Sequence, residues 1–463
     1  MAGYTAYNLR IILILTLGSL TFGYAYSVIS GTLGQPGFLD YFNLRNDESH
    51  TQAITGTING LVCAGAVFGS LAVGWMCDAR GRKETLYLTC VVNIFGEALQ
   101  AGSVNLGMFL AARFIGGWGI GMAVVLIPLY QAEICKLLQQ TMPPPSARGF
   151  LVGQHGTFAI FGYAIAGWVG VGAYYSTNLA FQWRFPIAVA FPGYLNHLAG
   201  DEAWAIVSRL HGGDQDEDSL LFAREEFYQM AQQVQADNAA WISGGYHRQI
   251  FTKPSYRKRI WMGFFIQYAA QSTGAQVIYV YIISLYQNLG LTGGIPLVLG
   301  AAYVTVATLS NFTGALLLDK IGRKPLFREI FPTHIRPQGV AWSLVGTFLS
   351  TLVYVEAAPT ALANIKWGYY IIFIGLTLIN IVILYLWCPE AWAKCTDFFS
   401  KTKGLSLEEI NEKFGDEVVV HLTNATDKQL EDLAHTIQAE QDEKIAMDHS
   451  HHEKTGVSGA QTV

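Results

Sequence analysis

The chain has 463 residues and a formal net charge of −5, and only 14% of its residues are charged, against about 25% in soluble globular proteins. Apolar residues make up 51% of the sequence and the mean hydropathy is +0.30. This composition excludes a soluble enzyme, a disordered chain and a nucleic-acid-binding protein. The acidic charge is concentrated after residue 388, where 15 acidic residues stand against 7 basic ones.

Uncharged apolar stretches long enough to cross a bilayer as helices recur along the chain. Backbone polar groups in lipid need partners within their own segment, so these stretches predict helices rather than strands. Segment 185–200 is short and contains two prolines and His197, which makes it one weak span beside nine firm ones. The firm spans lie in residues 11–39, 51–77, 85–104, 114–132, 149–183, 260–318 (two spans, with a turn at Gly293–Pro296), 337–355 and 367–389.

Basic residues occupy every second loop between these spans. They occur in 78–84, 131–148, 201–259 and 319–336, whereas the loops near 105 and 290 have none. Because cytoplasmic loops carry an excess of Lys and Arg, we expect these loops and both termini in the cytoplasm. The prediction is therefore an integral protein of the plasma membrane, with the lipid bilayer as its surroundings.

Two ionisable residues, Glu97 and Arg113, lie inside adjacent predicted spans. Such residues are costly in a membrane and are usually paired or functional. Two interpretations stay open: the side chains pair with each other, or one of them lines a cavity.

No catalytic triad, metal-ligand spacing, CxxC pair or phosphate-binding GxxxxGK[ST] loop occurs in the sequence. We therefore predict that the chain is not an enzyme and holds no cofactor and no metal.

A short motif is repeated in the two parts of the chain. Gly74-Trp-Met-Cys-Asp-Ala-Arg-Gly-Arg-Lys83 follows the second span, and Asp319-Lys-Ile-Gly-Arg-Lys324 follows the eighth. Glycine permits the tight turn, and arginine offers a fork to carboxylates. Internal repeats of this kind are common in secondary transporters.

The motifs resemble those of the sugar porter family of the major facilitator superfamily, in its fungal, hexose-transporter-like form. Segment 113–134, RFIGGWGIGMAVVLIPLYQAEI, resembles the family's fourth span, and CPEAWAKC at 388–395 resembles its carboxyl-terminal motif. The resemblance covers most of residues 10–415. It implies an all-α, polytopic membrane helical bundle with two pseudo-repeated halves. It also implies a carrier for a hexose or a related sugar or polyol that works by alternating access, with no nucleic-acid partner; the oligomeric state stays open.

The resemblance implies a sugar site that is formed partly by the seventh span. Gln271, Gln276 and Tyr281 occupy family positions there, and Gln267 lies one turn earlier. Amides suit sugars because each offers both donors and acceptors to hydroxyl groups. The alternative to a sugar site is that these polar residues form hydrogen bonds that hold neighbouring membrane helices together.

Ala25 occupies the position where proton-coupled members of the family carry Asp. This favours facilitative transport, unless Glu97 or another carboxylate takes that role.

The resemblance also implies cytoplasmic ion pairs that hold the inner gate shut in one state and break in the other. Pairs that are partly shielded from water bias such a two-state equilibrium. The alternative is static surface charge. The residues are Asp78, Arg82, Glu133 and Arg148 in one half, and Asp319, Arg323, Glu329, Arg336 and Glu390 in the other.

Relative to the family, the chain lacks the ninth and tenth spans at Phe327–Arg328 and part of the sixth span, so we expect about 10 of 12 spans. The predicted domains are an amino-terminal transmembrane half (1–200), a cytoplasmic helical linker (201–259), a carboxyl-terminal transmembrane half (260–390) and an acidic cytoplasmic tail (391–463). Two alternatives to a carrier stay open: a transporter-like sugar sensor or receptor, and an inactive truncated product.

Overall fold

The computed structural model describes residues 6–44, 48–140, 147–190, 254–321 and 336–387. The chain divides into two units. The first comprises Met1–Asp201 with Tyr256–Lys403, and the second comprises Glu202–Ser255 with Gly404–Val463. The predicted linker helix and acidic tail lie outside the described residues.

Every described element is a helix, which confirms the all-α prediction. We call α1–α6 the amino-terminal helices and α7–α11 the carboxyl-terminal helices. The helices are α1 (Ala6–Leu33), α2 (Pro36–Tyr41), α3 (Glu48–Ala101), α4 (Leu106–Gln140), α5 (Ala147–Tyr174), α6 (Leu179–Ala188), α7 (Pro254–Gln271), α8 (Ala275–Asn288), α9 (Ile295–Ile321), α10 (Arg336–Asn364) and α11 (Gly368–Trp387).

Five segments of the described helices are long and apolar enough to cross a bilayer. A shorter apolar stretch, Gly368–Ile383, lies in α11. The weak predicted span 185–200 overlaps the short α6, and its residues 191–200 lie outside the described part. The five segments are Thr51–Cys77, Leu106–Tyr130, His155–Tyr174, Ile295–Gly314 and Pro337–Asn364.

Helix α3 contains two predicted spans in succession, joined at the first copy of the repeated motif. Gly81 has φ +82° and ψ 172°, so the backbone leaves helical geometry there. Nothing lies within 4 Å of the place where a Cβ of Gly81 would be. Glycine is therefore favoured at this turn by its backbone conformation and not by a steric contact.

The predicted seventh span is divided into α7 and α8, a break that was not predicted. Gly274 precedes α8 with φ +75°, and a Cβ at this position would overlap the ring of Phe373. Both the backbone angle and the close ring favour glycine. The turn expected at Gly293–Pro296 is present, because α8 ends at Asn288 and α9 begins at Ile295.

Glycines bring α3 and α4 into close backbone contact. A Cβ on Gly65 would overlap the carbonyl oxygen of Phe114, and a Cβ on Gly121 would overlap that of Ala66. Membrane helices lack a hydrophobic driving force between them, so small residues that allow such close approach stabilise their association. This contact fixes the position of Arg113 on α4 beside α3.

Candidate functional site

A first cavity lies between the amino-terminal helices and the carboxyl-terminal helices. Helices α1, α3 and α4 provide most of its lining, and α8 and α10 provide one residue each. Its polar lining consists of a phenol, an amide, a thiol and a guanidinium group. The lining residues are Tyr26, Ile29, Asn59, Val62, Cys63, Arg113, Val280 and Val355.

A second cavity lies beside the first, between α1 and α5 on one side and α8 and α9 on the other. Its polar groups include Ser27, Ser30, Tyr163 and Tyr279, and the rest of its lining is apolar or glycine. Both cavities therefore combine hydroxyl groups with aromatic and aliphatic surface.

A stack of tyrosine rings connects the two cavities. Tyr26 stacks on Tyr163 with ring centroids 6.1 Å apart, and Tyr163 stacks on Tyr279 at 5.0 Å. On the same side, Ser30 Oγ donates to the backbone carbonyl oxygen of Val280 at 3.2 Å. Helices α1, α5 and α8 are thus joined by these contacts.

Two interpretations were open for Glu97 and Arg113: an ion pair, or one side chain that lines a cavity. The structure favours the second, because Arg113 lines the first cavity. Its side chain is 1% exposed and lines the first cavity. It donates to Gln100 Oε1 at 3.1 Å and to the carbonyl oxygen of Ile58 at 3.4 Å. Glu97 is fully buried beside Gln100, and its carboxylate oxygens make no hydrogen bond to Arg113 in the described structure. The two side chains are neighbours that do not form the predicted pair.

None of the four predicted sugar-binding residues lines either cavity. Tyr281 is buried and donates to the carbonyl oxygen of Val355 at 2.9 Å, and Asn59 Nδ2 lies 3.5 Å from its hydroxyl oxygen. Gln267 Oε1 accepts from Thr347 Oγ1 at 3.2 Å. Gln271 is half-buried, whereas Gln276 has a buried Nε2 without a hydrogen-bond partner.

Several polar residues of the cavities were not among the predicted site residues. Tyr26, Ser27 and Ser30 lie in the first predicted span, Asn59 in the second and Tyr163 in the fifth. The sequence signal for these residues was a polar side chain within an apolar run, because polar side chains of membrane helices usually face other helices and not lipid.

A carboxylate on α10 also joins the two groups of helices. Glu356 Oε1 accepts from Thr57 Oγ1 at 3.3 Å, and its side chain lies where a Cβ on Gly60 would be. The charge at Glu356 ended the predicted span 337–355, whereas the helix continues to Asn364.

The chain matches the family model described as "Sugar (and other) transporter" over residues 11–328 and again over 326–414. The chain belongs to this family. Since its relatives are transporters, the prediction that the chain is not an enzyme is confirmed.

Curated fungal members of the transporter family resemble the chain at low identity. The MFS-type transporter criB of Aspergillus cristatus is 27% identical over 477 residues, which cover 91% of this chain and 96% of that protein. A high-affinity glucose transporter of Kluyveromyces lactis is 28% identical over 338 residues, 69% of this chain and 58% of that protein. Myo-inositol transporter 2 of Schizosaccharomyces pombe is 26% identical over 388 residues, 77% of this chain and 62% of that protein. The chain therefore spans less than two thirds of the last two relatives.

Solved structures of the transporter XylE share the fold. The proton:xylose symporter XylE bound to 6-bromo-6-deoxy-D-glucose superposes with a TM-score of 0.64 at 19% identity, over 82% of this chain and 95% of that one. A partially occluded inward-open form of XylE from E. coli gives a TM-score of 0.58 at 18% identity. The predicted major facilitator fold, and with it an integral membrane protein, is confirmed.

The transporter family's predicted gate residues are only partly described. Arg82 Nη1 donates to the carbonyl oxygen of Cys77 at 3.2 Å. Five others lie on described helices, but their side chains lie outside the described part: Asp78 in the middle of α3, and Glu133, Arg148, Asp319 and Arg336 towards helix ends. Arg323, Glu329 and Glu390 lie outside the described residues altogether.

Proposed function

We propose that the chain is a secondary carrier that moves a sugar or a related polyol across the plasma membrane by alternating access. The observation that carries this proposal is the first cavity, where Tyr26, Asn59 and Arg113 face residues of α8 and α10 inside the bundle. Phenol, amide and guanidinium groups supply the donors and acceptors that sugar hydroxyls require. The adjoining tyrosine rings offer apolar surface to the carbon skeleton of a sugar.

The names of the relatives support this substrate class. Glucose transporters and a myo-inositol transporter are among the proteins that the chain resembles, and the XylE structure with the higher TM-score holds a glucose derivative. A hexose and a cyclic polyol share a ring of hydroxyl groups, to which the polar side chains of the cavity lining offer donors and acceptors.

The contacts between the two groups of helices suit alternating access. Besides Ser30 with α8 and Thr57 with Glu356, Thr157 Oγ1 donates to Asn311 Oδ1 at 3.1 Å. These are single hydrogen bonds, each of which contributes about 1 kcal/mol net. Contacts of this strength can break on one side of the membrane and form again when the halves rock.

We place the sugar between the cavities and the predicted residues Gln267, Gln271, Gln276 and Tyr281. Gln276 contributes the amide donor that has no protein partner. The repeated Asp, Arg and Glu motifs supply cytoplasmic ion pairs that hold the inner gate, with both termini on that side. The transmembrane halves are residues 1–200 and 260–390, joined by the linker 201–259 and followed by the tail 391–463.

We further propose that the ninth and tenth spans are absent from this chain. The two matches to the family model meet at residues 326–328, the position at which the sequence lacks these spans. Sequencing full-length transcripts across Phe327–Arg328 tests this proposal. A longer transcript that restores two spans would show that this chain is a shortened form of a twelve-span carrier.

Uptake of labelled D-glucose, D-xylose and myo-inositol into proteoliposomes that contain the purified chain tests the carrier function. We expect uptake of at least one compound and its loss in Asn59→Val, whose side chain lines the first cavity. Thr313→Val is the matched control, because Thr313 is exposed and bonds only within its own helix in the described structure.

The same preparation separates the alternatives. Thermal stabilisation by a sugar without uptake would favour a sugar sensor or receptor. Neither binding nor uptake of the three compounds would favour an inactive truncated product and contradict the carrier.

A further inference from the structure

The second cavity has a largely apolar lining, although hydroxyl side chains border it. Ser27 Oγ donates to the carbonyl oxygen of Tyr24 at 3.1 Å, and Ser30 Oγ donates to that of Val280 at 3.2 Å. Both serine protons are therefore already used by backbone acceptors. The aliphatic part of the lining comes from Ile282, Ile283, Leu297, Ala301 and Val304. Apolar cavities of this kind stay dry and bind apolar molecules.

Two glycines of the second cavity leave space that a side chain could occupy. A Cβ on Gly31 would have its nearest neighbour, the Cα of Gly170, at 4.0 Å, and a Cβ on Gly300 would lie 3.5 Å from a methyl group of Ile282. These are ordinary van der Waals separations, and neither glycine has a positive φ. Neither backbone angle nor steric contact therefore requires glycine at these two positions, but each glycine enlarges the cavity.

The first cavity differs from the second in its chemistry. Its lining includes the amide of Asn59, the guanidinium group of Arg113 and the phenol of Tyr26. Tyr26 stacks on Tyr163, which lines the second cavity. A molecule that reaches across this pair of rings meets hydrogen-bonding groups at one end and hydrocarbon at the other.

We infer that the second cavity is a subsite for an apolar substituent, so that the substrate is a glycoside with an apolar aglycone. The sugar ring lies at the first cavity, and a phenyl or branched alkyl aglycone lies among Ile282, Ile283 and Leu297. A free hexose carries hydroxyl groups on every side, and burying one against aliphatic walls is costly because it finds no hydrogen-bond partner there. A phenyl group instead gains free energy from leaving water.

This inference rests on the proposed carrier function, whose sugar site it extends. Each cavity is lined by helices of both groups, α1 with α8 among them. Separation of the two groups during alternating access therefore widens both cavities together, and a ligand that spans them can enter as one body.

Ligand binding to the purified full chain tests the subsite without transport. Thermal stabilisation is measured in a detergent that has no sugar head group, with phenyl β-D-glucoside and with methyl β-D-glucoside, which has the same sugar ring and a minimal aglycone. We expect half-maximal stabilisation by the phenyl glucoside at a concentration roughly tenfold lower, because its ring becomes buried. Equal concentrations for the two glucosides, or stabilisation by neither, would overturn the subsite.

Filling the second cavity tests where the aglycone binds. Gly31→Ala combined with Gly300→Ala adds two methyl groups that the surrounding atoms accommodate, and the melting temperature without ligand checks that the chain folds. The advantage of the phenyl glucoside should fall from about tenfold to about twofold. Gly172→Ala is the matched control, because it lines neither cavity and should keep the full advantage. An advantage that persists in the double variant would overturn the subsite.

A variant at the other end tests the orientation of the glycoside. Asn59→Val removes an amide from the first cavity, so it should weaken the binding of both glucosides by a similar factor and leave their ratio unchanged. A selective loss of phenyl glucoside binding in Asn59→Val would place the aglycone at the first cavity and contradict the assignment.

Uptake into proteoliposomes separates this inference from the proposed function. Labelled phenyl β-D-glucoside should enter, and the unlabelled compound should inhibit D-glucose uptake more strongly than methyl β-D-glucoside does. Selective binding of the phenyl glucoside without uptake of any sugar or glucoside would support the subsite and contradict the carrier. Uptake of D-glucose with equal inhibition by the two glucosides would support the carrier and overturn the subsite.

Discussion

The ring of Tyr163 on α5 stacks on that of Tyr279 on α8, with an angle of 23° between the ring planes. This contact joins an amino-terminal helix to a carboxyl-terminal helix at the wall of the second cavity. The same rings therefore shape the cavity and help to hold the two groups of helices together.

Two substitutions of Tyr163 should distinguish the contribution of its ring from that of its hydroxyl group. Tyr163→Phe keeps the stack and should melt within a few degrees of the unmodified chain. Tyr163→Ala removes the ring, which costs about 3–5 kcal/mol at a buried site, and should lower both the melting temperature and sugar uptake. Thermal unfolding in detergent and uptake in proteoliposomes measure the two effects. Equal melting temperatures for the two variants would show that the stack contributes nothing.

Substitution by alanine should have opposite effects at Gly121, in the close contact of α3 and α4, and at Gly172 on α5. Gly121→Ala places a methyl group against the backbone of Ala66 and should destabilise the bundle by about 1–3 kcal/mol through overpacking. Gly172→Ala meets nothing within 4 Å and should stabilise its helix by up to about 1 kcal/mol. Thermal unfolding of both variants gives the comparison. Loss of stability in Gly172→Ala alone would contradict the packing assigned to Gly121.

Substitutions of Gly60 and Glu356 should have non-additive effects on the free energy of unfolding. A methyl group in Gly60→Ala displaces the Glu356 carboxylate and breaks its hydrogen bond from Thr57, so stability should fall by about 0.5–1.5 kcal/mol. In Glu356→Ala the space is already open, and adding Gly60→Ala should cost little more. A double-mutant cycle measures this coupling. Strictly additive effects would place the two residues out of contact.

Asn178 should stabilise the start of α6 through its side chain. Its Oδ1 accepts from the backbone N–H groups of Ala180 at 3.0 Å and Phe181 at 3.3 Å. Asn178→Ala should therefore cost about 1 kcal/mol, whereas Asn178→Asp, which keeps the acceptor, should cost less. Thermal unfolding of the two variants distinguishes loss of the cap from a general effect of substitution.

Five of the predicted spans overlap apolar segments of the described helices that are long enough to cross a bilayer, because the cost of a charged residue in lipid can be read directly along the sequence. The predicted span 51–77 coincides with the apolar segment Thr51–Cys77. The prediction for 337–355 ended too early, because a single carboxylate at Glu356 bonds to a neighbouring helix and does not end α10. The break at 272–274 was not predicted, because the ring of Phe373 that lies against Gly274 belongs to α11 and is distant in the sequence.

The cavities were harder to predict because a span does not reveal which of its faces turns inward. Gln276 and Tyr281 were expected to contact substrate, yet Tyr279 and Val280 between them line the cavities. Residues one position apart on a helix differ by about 100° in direction, so a small error in the assigned face exchanges lining residues for their neighbours. Tertiary packing, which sets that rotation, lies beyond the reach of a hydropathy pattern.

The break at Gly274 gives one membrane crossing an articulation near its centre. A continuous helix of the combined length of α7 and α8 would have to move as one rod, whereas two rods joined by three residues can tilt separately. Helix α8 carries Tyr279 and Val280, and α7 carries Gln267. The two parts of this crossing can consequently change their angles to the bundle independently, which is the kind of motion that the proposed alternating access requires.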